Sequence, residues 1–172
     1  MAESVRRLFL ALWPTDADRP WLAALAAHIA GARRVRDDHL HLTLVFLGAT
    51  SAVQQAAYSA ALADVSVPAL ELRLDRCGYW PQPRILWLGC SQTPPELLAL
   101  VADVQQRLRG CGFIPERRAF QAHITLARQF PGPAPIQQLA TPLHWSVREL
   151  ALVESLRQEG AACYQVLRRW SA

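Results

Sequence analysis

His41-Leu42-Thr43-Leu44-Val45-Phe46-Leu47-Gly48 and His123-Ile124-Thr125-Leu126-Ala127-Arg128 are two copies of one short pattern, 82 residues apart (123 − 41) in a chain of 172. The chain has five His and six Thr. Random placement predicts roughly 5 × 6/172, or about 0.17, His-x-Thr pairs, so two copies with leucine following each point to a duplicated unit. Both copies sit in short apolar runs that read as strands. Side chains in a strand alternate faces, so His41 and Thr43 share one face while Leu42 and Leu44 take the other. At a rise of ~3.3 Å per residue the two positions are ~6.6 Å apart, a spacing from which an imidazole and a hydroxyl reach different atoms of one phosphate.

Working outward, residues 7–13 form an apolar run ended by Pro14, and Thr15-Asp16 offers a cap for a helix in which Trp21, Leu22, Leu25, Ala26 and Ile29 recur until Gly31. Residues 41–47 read as a strand closed by Gly48, 52–62 as a helix, and 70–76 as a half-exposed alternating strand. A turn follows at Tyr79-Trp80-Pro81-Gln82-Pro83, and then the strand 85–88. The second half repeats the scheme: a helix from Pro94-Pro95 to about Leu108, the strand 123–127, a loop at 131–135, and closing strands at 146–153 and 164–170 around Gly160. Short turns between neighbouring strands favour an α+β fold with antiparallel sheet over a doubly wound parallel one. The length fits one domain over 1–172, or two small lobes sharing a cleft, and no long linker splits the chain into independently folding domains.

Composition narrows the function classes. Hydrophobic residues make up 52% and charged residues 19%, enough apolar surface for a core. The net charge is +4, and all 18 basic residues are arginine, whose planar fork suits phosphate oxygens. The four cysteines form no C-x-x-C pair. The N-terminal apolar run is too short for a signal or membrane segment, so a cytoplasmic location with no membrane partner is expected.

The paired motif suits cleavage of a cyclic phosphate. That reaction needs a base for the attacking water and an acid for the departing sugar oxygen. Two histidines in opposite protonation states cover both tasks near neutral pH. Thr43 and Thr125 can donate to the non-bridging oxygens, and Arg128 can neutralise the phosphate. Phe9, Phe46 and Phe120 are candidates for stacking on a nucleobase and equally suit a core. Asp37-Asp38-His39-Leu40-His41 invites a metal reading, but no second cluster supplies the remaining ligands. His39 reads as a solvated residue, and His28 and His144 as bystanders. The arginines at 33, 34, 36, 117 and 118 flank the motifs and read as a solvated face that can guide RNA.

These residues resemble the 2H phosphoesterase family, in particular its RNA 2′,3′-cyclic phosphodiesterase (2′-5′ RNA ligase-like) branch. The resemblance extends to Arg7-Leu8-Phe9-Leu10-Ala11-Leu12, Ile85-Leu86-Trp87-Leu88-Gly89, Leu152-Val153-Glu154-Ser155 and Tyr164-Gln165-Val166-Leu167, and so covers nearly the whole chain. It implies a single bilobal α+β domain, 1–172, with two pseudo-symmetric lobes of antiparallel sheet, helices packed outside and the site in the central groove. It implies metal-independent hydrolysis of a 2′,3′-cyclic phosphate on RNA ends or small nucleotides to a 2′-phosphate, with no cofactor. It implies His41 as proton donor and His123 as proton acceptor. Ligation of 2′-5′ ends by the same site, or a binding module with little catalysis, are the competing expectations, and a monomer suffices for all of them. One departure is Gln121-Ala122 ahead of His123, where the family often has proline.

Overall fold

The computed structural model describes residues 5–158 and 161–171. Its elements are β1 (Arg6–Leu12), α1 (Arg19–Ala30), β2 (Leu42–Thr50), α2 (Ala52–Ala61), β3 (Leu70–Trp80), β4 (Ile85–Gly89), α3 (Pro95–Arg109), β5 (His123–Ala127), β6 (Gln138–Val147), β7 (Glu149–Gln158) and β8 (Ala161–Ser171). Two single 3₁₀ turns, Gly31–Arg33 and Asp37–His39, lead from α1 to β2. The strands form one eight-stranded sheet in the order β6-β3-β4-β5-β2-β1-β7-β8. Every neighbouring pair is antiparallel.

The sheet has two lobes, β2-β1-β7-β8 and β5-β4-β3-β6. Among the described residues the two are joined in the sheet where β2 pairs with β5, and there the register is the single pair Leu42↔Ile124. Leu42 and Ile124 are both fully buried, and they join one continuous core with Leu22 of α1, Tyr58 of α2, and Leu97 and Val104 of α3. Period-two alternation then leaves His41, Thr43, His123 and Thr125 on the opposite face, away from the helices. The duplicated motif therefore fixes the seam of the fold as well as the site.

Helix starts follow local chemistry. Pro20 and Pro95 sit at helix entrances, where a missing N–H costs nothing. Ser51 and Gln54 close a reciprocal capping box on α2, with bonds of 3.2 and 2.9 Å. On α1 the cap position is Asp18 rather than the expected Thr15-Asp16; Thr15 and Asp18 instead tie to each other in the preceding turn.

Three strand boundaries differ from the sequence reading. β2 runs through Gly48 to Thr50, because Gly48 takes φ +75° inside the strand at its bulged pairing with β1. β3 extends through Tyr79 and Trp80, and the turn lies beyond them. The expected strand 146–153 is two strands divided at Arg148. β6 contains Pro142 and is an edge strand, where proline is tolerated, so its pattern was masked. Gly160, expected at the last turn, lies outside the described residues.

Candidate active site

Continuing the Leu42↔Ile124 register sets His41 opposite Thr125 and Thr43 opposite His123. Each imidazole thus faces the other motif's hydroxyl across the seam. His41 stands one residue ahead of β2, and His123 is the first residue of β5.

Both rings are oriented in the same way. Nδ1 of His41 lies 2.6 Å from the carbonyl of His39, and Nδ1 of His123 lies 2.8 Å from the carbonyl of Gln121. A carbonyl can only accept, so Nδ1 carries the proton in each neutral ring and Nε2 is left for chemistry. Nε2 of His41 lies 3.1 Å from Oγ1 of Thr43, which donates to it in that tautomer. Gln121, two residues ahead of His123, thus supplies the orienting carbonyl. Ala122 is buried, and its own carbonyl lies 2.5 Å from where a Cβ on Gly89 would stand, so only glycine fits beside it.

Surroundings separate the two histidines. His41 is enclosed by Phe9, Trp13 and Tyr164 at ring distances of 5.0, 5.2 and 5.2 Å, with Trp13 stacked at 19°. Burial pushes its pKa down to about 4, against the partial support of the His39 carbonyl. His123 meets one ring, Trp80, edge-on at 4.6 Å. Its pKa is also lowered, first by burial and then by Arg118 and Arg128, again against its supporting carbonyl.

Arg128 is exposed at the exit of β5, and its charge bears on both imidazoles. The turn that presents it is anchored: Gln129 takes φ +52°, the Phe130 N–H donates to the Arg84 carbonyl at 3.0 Å, and the Tyr79 hydroxyl donates to the Phe130 carbonyl at 3.2 Å. The seam thus brings His41, Thr43, His123 and Thr125 together on one face of the sheet, with Arg128 at the exit of β5.

The aromatic candidates part company. Phe9 is 4% exposed and packs on His41 and Tyr164, so it has no open face for a base. Phe46 is 40% exposed, with the Arg7 guanidinium 4.9 Å above its ring. Phe120 packs at the edge of the main core. His39 is not solvated as expected; its side chain is only 12% exposed, tilted against Tyr164 at 4.6 Å. Asp37 and Asp38 are taken up by Arg34 and Arg36 at 3.1 and 2.7 Å, which also quenches those flank arginines. No cluster of three metal-ligating side chains occurs among the described residues.

Sequence reasoning missed Trp13, Trp80 and Tyr164. Trp13 was within reach: the alternation Phe9, Ala11, Trp13, along β1 and the residue just after it, lies on the motif face. Trp80 was hidden by reading Tyr79-Trp80 as a turn, and Tyr164 arrives from 121 residues further along the chain than Thr43 (164 − 43).

The fold and the doubled motif are those of a two-histidine phosphoesterase. The family model described as LigT like Phosphoesterase matches the chain twice, over residues 12–87 and 88–164, one match per motif. The chain belongs to this family. It is 31% identical to the RNA 2′,3′-cyclic phosphodiesterase of Escherichia coli (strain K12), over 99% of this chain and 98% of that one. A relative of the same name from Archaeoglobus fulgidus is 30% identical, over 71% and 72% of the two chains. The crystal structure of E. coli LigT complexed with 3′-AMP superposes with a TM-score of 0.87 at 31% identity, covering 98% of each chain.

Proposed function

We propose that this chain hydrolyses the 2′,3′-cyclic phosphate of RNA ends or small nucleotides to a 2′-phosphate, with His41 as proton donor and His123 as proton acceptor. The observation that carries the reading is the Leu42↔Ile124 seam, which sets the two His-x-Thr pairs opposite one another. His123 Nε2 takes a proton from water as its oxygen bonds to phosphorus. The P–O3′ bond breaks, and O3′ takes the proton held on His41 Nε2, so that charge and protons balance. Thr43, Thr125 and Arg128 hold the non-bridging oxygens, where charge grows. Attack and departure lie on opposite sides of phosphorus, which puts the nucleoside on His41's lobe. Phe46, the exposed ring on that lobe, is the stacking surface. The E. coli relative's name and the 3′-AMP bound in its structure support the substrate class.

The same site run backwards would ligate 2′-5′ ends, but bulk water favours hydrolysis. We read the chain as one bilobal unit acting as a cytoplasmic monomer. No helix among the described residues is long and apolar enough to cross a membrane, and the four thiols are unpaired.

The test is product analysis on an oligonucleotide ending in a 2′,3′-cyclic phosphate, with chelator present. A 2′-phosphate product is expected, and His41→Ala or His123→Ala each lowers the rate on the order of 10²–10⁴-fold while the circular-dichroism spectrum is kept. Full activity in either variant, or activity lost to chelator and restored by zinc, sinks the proposal.

A further inference from the structure

Resting on that reading of the site, we propose that Trp13 and Tyr164 are positioning residues that keep His41 neutral until a phosphate enters, so that binding of substrate and protonation of His41 are one event. The geometry carries this. Trp13 is 7% exposed and lies nearly parallel to the imidazole, Phe9 closes a second side, and Tyr164 reaches over from β8 edge-on. Water is thereby excluded from the faces of the ring, and an imidazolium there loses its hydration.

The groups that face His41 supply no counter-charge. From the 3₁₀ turn before β2 comes His39, from β5 and its exit His123 and Arg128, and each of these charges lowers His41's proton affinity. From β2 comes the neutral Thr43 hydroxyl, and from β8 the neutral phenol of Tyr164. Behind Trp13 stands another cation, Arg19, 5.8 Å from its ring. Asp38, the nearby carboxylate, is spent on Arg36 and lies 3.9 Å from His39 rather than on His41. The free protein's His41 accordingly sits well below the ordinary histidine value. An anion bound at Thr43, Thr125 and Arg128 is the missing partner.

The consequence is a proton taken up from solvent as phosphate binds at neutral pH. It also explains how a histidine that is neutral in the free protein serves as an acid.

The experiment is an NMR titration of the histidine ring protons, with inorganic phosphate as the probe. His41 is expected to stay neutral down to about pH 5 in the free protein, and its midpoint to rise by more than one pH unit at saturating phosphate, more than that of His123. Trp13→Leu raises the midpoint in the free protein and Trp13→Phe restores it. Should Trp13→Leu fail to fold, Tyr164→Leu at the half-buried β8 position gives the same upward shift, and Tyr164→Phe leaves the midpoint unchanged. A midpoint that does not move with saturating phosphate, or that stays put in both leucine variants, overturns the proposal. Normal turnover with an unmoved midpoint rejects only this inference. A moving midpoint with no cyclic-phosphate hydrolysis rejects only the phosphodiesterase reading.

Discussion

Beside Thr43 the neighbouring strand places Ala11, and beside Thr125 it places Trp87. One strand further out, Ala11 meets Ala151, whereas Trp87 lies across Gly78, where a Cβ would come within 2.0 Å of the indole. Beside the histidines the order reverses. Trp13 stacks on His41, whereas Gly89 pairs with His123. The two lobes repeat one ladder with large and small residues exchanged. In the first lobe the bulk stands next to the imidazole and dries it. In the second the bulk lies under the threonine and leaves the imidazole beside a glycine, edged only by Trp80. A pseudo-twofold frame thus holds two chemically different histidines, which a reaction with one acid and one base requires.

The largest way to break this comparison is Trp87→Ala. The indole lies at 4% exposure against Gly78, with the Trp80 ring 5.3 Å away. Loss of a buried Trp is expected to cost ~3–5 kcal/mol of unfolding free energy in a urea titration. Ala11→Gly in the first lobe removes one methyl and costs far less. Equal losses at the two positions would show that the floors are interchangeable. A second test uses acid. His41's pKa is near 4 in the folded chain and ordinary, 6.5, once unfolded. Below pH 6.5 the unfolded chain binds the proton that the folded one refuses. Stability is therefore fully present above about pH 6.5 and falls as the pH drops toward 4, by on the order of 3 kcal/mol in all. His41→Gln removes most of that slope, while His123→Gln removes less, because fewer groups enclose it. A slope unchanged in His41→Gln would place the acid sensitivity elsewhere.

Much of this was legible in the chain. The doubled His-x-Thr, its strand context and the apolar residues between the polar ones specify the seam, since one face of each motif must be buried and the other must not. The class of site follows from the same residues. What stayed hidden was set by distant partners. Tyr164 and His41 meet because β8 pairs with β7 and β7 with β1, an order that no local pattern encodes. Phe9 looked like a surface for a base because a strand phenylalanine reads alike whether its open side meets solvent or an imidazole. His39 looked solvated for the same reason, until Tyr164 covered it. Trp80 was misplaced because Pro81 and Pro83 pulled the turn two residues early in the reading.

The smallest effect in the comparison is at the threonines. In the free protein Thr43's hydroxyl is engaged with His41 Nε2 at 3.1 Å, whereas Thr125 makes no such bond to His123. In the proposed complex Thr43 exchanges an internal hydrogen bond for one to substrate, while Thr125 exchanges one to water. An internal bond is worth about 1 kcal/mol more than its hydrated equivalent. Thr43→Val forfeits the substrate contact but also abolishes the competing bond. It should therefore lower kcat/KM about fivefold less than Thr125→Val, the ratio that ~1 kcal/mol corresponds to. Steady-state kinetics on a cyclic mononucleotide reads the ratio directly. A larger loss at Thr43 than at Thr125 would mean that its hydroxyl steers His41's ring in the complex as well as in the free protein, and the difference between the lobes would then extend from the proton affinity of the imidazole to its placement.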